Sequence, residues 1–123
     1  MIEAVAFQFS KNSGIYLENM VFLELKRRGH EIYYYKNQDN SEVDFLIRQG
    51  KTISNLIQVT EELNHPKTRE REINALITAM DETKLKKAWI LTLDHSEEIK
   101  IKDKTITVLP VYQWLLSGIV ESP

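Results

Sequence analysis

The chain contains no cysteine. That excludes a disulfide framework, a thiolate nucleophile and any zinc site built on sulfur, and it makes a reducing cytoplasm the simplest compartment. No apolar run approaches the roughly 18 residues that a membrane-spanning helix needs. A charged-then-apolar leader is also missing, because Met1 to Gly14 interleaves Glu3, Gln8, Ser10 and Lys11 with its apolar residues. A soluble, untargeted protein with no membrane contact is therefore expected. There is no basic excess either: 16 Lys and Arg face 18 Asp and Glu, for a net charge of -2 and an isoelectric point near 5.9. Strong autonomous binding to nucleic acid normally rests on a basic face, so only a local patch could supply it. His30, His65 and His95 have no ligand spacing, and no nucleophile elbow prepares a serine for catalysis.

The 123 residues show no internal repeat, low-complexity tract or linker. That length suits one domain able to remove about two-thirds of its unfolded surface from water. We expect a single domain over 1–123, with 1–13 as an arm whose residues 4–9 have a short strand-like look. From Ile15 to Arg28 the apolar residues Leu17, Val21, Phe22 and Leu25 recur at helical spacing. Lys26, Arg27 and Arg28 suit the carboxyl end of that helix dipole, and Gly29 supplies a left-handed stop. Glu31 to Lys36 is rich in strand formers, and the polar run 36–40 turns the chain into a strand holding Glu42 and Asp44. A second turn at 48–51 leads to a third strand ending Leu56-Ile57-Gln58-Val59-Thr60.

A second helix opens at Asn64-His65-Pro66, with Asn64 the candidate cap and Pro66 in the permitted first turn. Ile73, Leu76, Ile77 and Met80 form its buried stripe, and Arg69, Glu70, Arg71 and Glu72 form an exposed flank. The nearly continuous apolar run 88–93 reads as a strand covered on both faces, joined to the third strand by a parallel crossover. Residues 99–108 alternate as a hairpin with one wet face, and a short helix from Val111 to Leu116 closes the pattern. The fold class is α/β with a mixed sheet.

Five positions stand apart from this scaffold. Glu18 falls in the middle of the arc formed by Val21, Phe22 and Leu25, where a carboxylate needs a partner or water. It is either a hydrogen-bond hub or part of an acidic pocket. Period-two alternation places Glu42 and Asp44 on one face of their strand, and Gln58 and Thr60 on one face of theirs. Taken alone, Glu42 and Asp44 read as a solvated strand start, and Gln58 and Thr60 as a satisfied strand pair. Glu18, Asp44 and Gln58 together offer the hard oxygen ligands that magnesium or manganese takes. Such a cation acidifies an attacking water and offsets charge on a phosphate, usually with help from a lysine.

Glu18, Glu42-Val43-Asp44 and Leu56-Ile57-Gln58-Val59-Thr60 resemble the PD-(D/E)xK nuclease superfamily, whose restriction-endonuclease-like core is a helix, three strands, a helix and a strand. A wider likeness runs through Phe7-Gln8-Phe9, Gly14-Ile15-Tyr16-Leu17-Glu18-Asn19, Glu42-Val43-Asp44-Phe45, Thr68-Arg69-Glu70-Arg71-Glu72-Ile73 and Trp89-Ile90-Leu91-Thr92-Leu93. It is similar to the domain of unknown function found at the carboxyl end of many archaeal and bacterial AAA+ ATPases. The resemblance implies an ATPase module in cis or in trans, metal-site positions at Glu18, Asp44 and Gln58, and catalytic positions at Asp44, Gln58 and Thr60. This chain has no Gly-rich Lys-Ser/Thr phosphate loop and is not itself the ATPase.

Where the superfamily carries Glu-x-Lys, this chain carries Gln58-Val59-Thr60, one negative charge and one cation short. The expectation is a degenerate site acting in nucleic-acid or partner recognition. An active Mg2+- or Mn2+-dependent endonuclease, with Lys36, Lys67 or Arg69 replacing the lysine, is the first alternative. A protein-interaction or oligomerisation module is the second. Lys26, Arg27, Arg28, Lys67, Arg69 and Arg71 are the residues expected to meet DNA phosphates, and Tyr33 to Tyr35 are explained by strand propensity rather than base stacking. Tyr16, Met20 and Leu23, on the otherwise polar side of the first helix, are candidates for a protein contact.

Overall fold

A computed structural model describes residues 2–4 and 13–117; the reading of 5–12 as part of an arm, and Phe7-Gln8-Phe9, lie outside them. Among the described residues three helices flank one seven-stranded mixed sheet of order β1-β2-β3-β4-β5-β7-β6. In chain order these are β1 (Ile2–Ala4), α1 (Ser13–Arg27), β2 (Glu31–Lys36), β3 (Glu42–Gln49), β4 (Thr52–Val59), α2 (Pro66–Thr83), β5 (Lys87–Thr92), β6 (Glu97–Ile101), β7 (Lys104–Pro110) and α3 (Val111–Ser117). The expected helix, three-strand, helix, strand order is present, followed by the hairpin and short helix. The hairpin is part of the same sheet. Its second strand, β7, pairs parallel with β5 from Lys87↔Thr105 to Thr92↔Pro110, leaving β6 at the edge.

The helix boundaries follow local chemistry. Gly29 adopts φ 82, and the His30 and Gly29 amides donate to the Leu25 and Lys26 carbonyls at 3.1 and 3.0 Å. This is a Schellman ending, which requires the left-handed residue that glycine supplies without steric cost. The start of α2 differs from expectation. His65, not Asn64, is the cap residue, and it makes no side-chain capping bond. Pro66 fixes the first helical φ itself, so a side-chain cap is less needed there.

The sheet separates two apolar layers. On one face Leu17, Val21, Phe22 and Leu25 of α1 pack with Phe45, Ile57, Leu91 and Trp114. On the other, Leu76, Ala79 and Met80 of α2 pack with Leu46, Leu56, Ile90, Ile106 and Val108. Ile73 and Ile77 are only partly buried, and Ala75 joins the fully buried stripe of α2 in their place. At the end of β5 Thr92 is sealed from solvent, whereas Leu93, expected inside the strand, lies beyond it and is half exposed. The Thr92 hydroxyl donates to the His95 carbonyl at 2.7 Å, turning the chain out of the sheet.

Candidate functional site: an acid cluster where two strands part

Strands β3 and β4 pair antiparallel only as far as Phe45↔Ile57. Beyond that point β4 keeps its other neighbour, with Gln58↔Ile90 and Val59↔Leu91 parallel to β5. The backbone groups of Asp44, Val59 and Glu42 would lose partners where β3 and β4 diverge, and buried backbone groups rarely go unpaired. Two side chains supply those partners. Gln58 is 1 % exposed; its Oε1 accepts from the Asp44 amide at 2.9 Å and its Nε2 donates to the Glu42 carbonyl at 3.0 Å. In return the Val59 amide donates to Asp44 Oδ2 at 2.8 Å. The Gln58 amide thus acts as a length of backbone, and Asp44 returns the favour one residue along.

The Asp44 carboxyl sits in an acidic environment. Burial raises its pKa well above the ordinary aspartate value. The nearby charge and hydrogen bond of Glu18 and the charge of Glu72 add to the rise, against the lowering effect of the Val59 amide. Glu18 comes from α1 and Glu72 from α2, helices on opposite faces of the sheet, and both reach Asp44 at the parting of the strands. Glu72 is also shifted upward, first by burial and then by Glu18, while Arg71 opposes the shift. Glu18 thus acts on two further carboxyls, Asp44 and Glu72.

Sequence reasoning missed Glu72. It stood in a run of alternating charges read as a solvated flank, yet its side chain is only 14 % exposed. Spacing gave a usable signal: Glu72 is one turn before Leu76, on the same stripe. Glu42 is exposed and lies opposite Lys36 in the β2–β3 ladder, outside the cluster. Thr60 donates its amide to Leu91 O at 3.0 Å, and its hydroxyl contacts the Glu62 carbonyl at 3.4 Å.

The fit to a divalent cation is poor. Among the described residues no group of three His, Asp or Glu side chains is placed to hold a metal ion. The Gln58 oxygen and Asp44 Oδ2 are already hydrogen-bonded to backbone amides. Burial first, and then the charge of Glu18, make a proton on the Asp44 carboxyl favourable in the folded protein.

That preference sets a pH dependence. A carboxyl with a folded pKa above its unfolded value binds its proton more tightly in the folded state, so stability is complete below the unfolded value and is lost as pH rises through the folded one. For Asp44 and Glu72 the decline starts near their ordinary values, 3.8 and 4.5. Asp44→Asn keeps an acceptor for Val59 and removes the charge. It is expected to leave the melting temperature unchanged near pH 4 and to raise it at pH 8, each pKa unit being worth about 1.4 kcal/mol. Thermal melts of both proteins across that range check this, and equal slopes would reject a strained carboxyl.

Two of the six candidate basic residues are held in internal pairs. The Arg28 side chain is 4 % exposed, stacks 4.6 Å from the Trp114 ring centroid and donates to the Trp114 and Leu115 carbonyls. Arg69 is bound by both Glu97 oxygens at 2.8 Å. Lys26, Arg27, Lys67 and Arg71 remain on the surface. Arg27 pairs with Glu24 at 2.5 Å.

Residues 13–114 match the model of a family described as a domain of unknown function, DUF4143. The chain belongs to this family. Its match spans the acid cluster from Glu18 to Glu72 and all seven strands except β1. The chain is also 40 % identical over 121 residues to the uncharacterized protein MJ1544 of Methanocaldococcus jannaschii, covering 91 % of this chain and 27 % of that relative. It therefore spans about a quarter of the length of the curated relative it matches. Among the described residues no helix is long and apolar enough to cross a membrane.

Proposed function

We propose that this domain is a non-cleaving, restriction-endonuclease-like recognition module, carried at the carboxyl end of an AAA+ ATPase or docked to one in trans. The reading is carried by Gln58. At the position where the superfamily places a metal-binding acid, its amide is committed at both ends to the β3 backbone. The order of elements in the core supports the nuclease-like fold, and the family's longer relative leaves room for a second module in that protein.

Protein is favoured over nucleic acid as the recognised partner. Two of the six candidate phosphate contacts, Arg28 and Arg69, are held in internal pairs, and the net charge is negative. Tyr16, Met20 and Leu23 are instead 63, 41 and 53 % exposed along one side of α1. Spacings of four and three residues make them a single apolar stripe.

Incubation of the domain with DNA and RNA, in Mg2+ and in Mn2+, is expected to give no cleavage above that of Asp44→Ala. Metal-dependent cleavage that disappears in Asp44→Ala and Glu18→Gln, with both variants folded, would overturn the reading. Duplex DNA binding that weakens steeply with added salt would move the partner from protein to nucleic acid.

A further inference from the structure

The free edge of the sheet at β6 carries a self-complementary pattern, and we infer that two copies of this chain pair through it, antiparallel, about a two-fold axis at Ile99. Among the described residues, strand β6 has β7 on one side and no strand on the other. Its hairpin turns through Lys102 and Asp103, with Lys102 at φ 56 and Ile101 opposite Lys104. In a two-residue hairpin the residues flanking the turn exchange their N–H and C=O groups, and such pairs alternate along the ladder. Ile101, Ile99 and Glu97 therefore face β7 with their backbone groups. Glu98 and Lys100 direct theirs to the open edge.

An incoming copy of β6 must set its own Glu98 and Lys100 against these two residues. Three antiparallel registers satisfy the backbone. One places Glu98 against Glu98 on the axis, and another places Lys100 against Lys100. The third centres on Ile99 and sets each Glu98 opposite a Lys100, twice by symmetry. Opposite charges directly across an antiparallel pair are stabilising and like charges are not, so charge and backbone select the same register. Both side chains are free to do this, being 57 and 72 % exposed and now paired only with each other at 3.3 Å. Ile99, half buried against the α2 layer, meets its symmetry mate on the other face and extends that apolar layer across the axis. The contact is isologous, so it closes at two copies and does not propagate.

Sedimentation velocity over a concentration series tests this with the whole chain. The parent is expected to form a dimer that weakens with salt. Lys100→Pro removes an amide that faces the open edge and leaves the β6–β7 ladder intact, so it should give a monomer with an unchanged melting temperature. Glu98→Lys and Lys100→Glu should each raise the dissociation constant on the order of tenfold or more, because each replaces both cross-axis pairs with like charges. Mixing those two variants restores opposite charges at every position, so a mixed dimer should form at the parent's affinity. A monomeric parent at every concentration would overturn the inference. A dimer indifferent to Lys100→Pro would do the same and would place self-association elsewhere, with the α1 stripe the next surface to examine.

Discussion

Gln58→Leu is expected to lower stability by about 3 kcal/mol, the sum of two hydrogen bonds lost from partly buried backbone groups. Volume hardly changes, so the loss measures the amide and not a cavity. The partly buried Asp44 amide and the Glu42 carbonyl each lose their partner at the point where β3 and β4 no longer pair. A fall of roughly 10 °C in melting temperature follows for a domain of this size. Gln58→Glu, which restores the superfamily acid, should also destabilise. It removes the donor to Glu42 and sets a further carboxyl beside Asp44, whose pKa is already raised by burial and by Glu18. Urea titration of the three proteins at pH 7 checks both results. A Gln58→Glu protein as stable as the parent would show that the site still accommodates the acid.

Arg28→Ala should cost about 2 kcal/mol, because the buried Trp114 ring loses the guanidinium stacked on it and two α3 carbonyls lose their donor, while Glu24 keeps Arg27 as a partner. The guanidinium joins Glu24 at 2.7 Å, the Trp114 ring and two carbonyls of α3, so it fastens the end of α1 to α3. Arg28→Lys should recover little of this, since an ammonium has neither the planar fork nor the stacking face. Lys26→Ala, two residues away and exposed, should stay within about 0.5 kcal/mol. The same cluster predicts an acid-sensitive term. Hydrogen bonding to Arg27, and then Arg28, holds Glu24 at about 2, below its ordinary 4.5. Its contribution is complete above the unfolded value and is lost as pH falls toward 2. Melts of parent and Arg28→Ala should therefore draw closer at low pH only by the Arg28 share of this contribution, the Arg27 share being common to both proteins. Parallel curves would show that Arg28 acts through packing alone.

The order of elements was legible because each has a local cause. The α1 stripe from Leu17 to Leu25 needs only a 3.6-residue period, and Gly29 stops that helix through its own φ. The alternation from Ile99 to Val108 fixes a hairpin in the same way. The place of that hairpin in the sheet was not legible. Parallel pairing of β5 with β7 joins segments whose contact depends on which edge remains open once β4 is occupied.

For the candidate site the division is the same. Sequence alone identified Glu18 as a carboxylate on an apolar stripe, named Asp44 and Gln58 as its companions, and showed that the acid and lysine of the superfamily motif were replaced. It passed over Glu72, although that residue lies one turn before Leu76 on the buried stripe, because it stands in a mixed-charge run that looks solvated. Nor could it assign Arg28 and Arg69, whose cationic character is the same on a surface as in an internal pair. Above all, it did not distinguish a glutamine waiting for a metal from one completing a backbone. Local spacing sets which face a side chain takes; only the divergence of β3 from β4 decides that the Gln58 amide is needed there, because that is where the ladder runs out of partners.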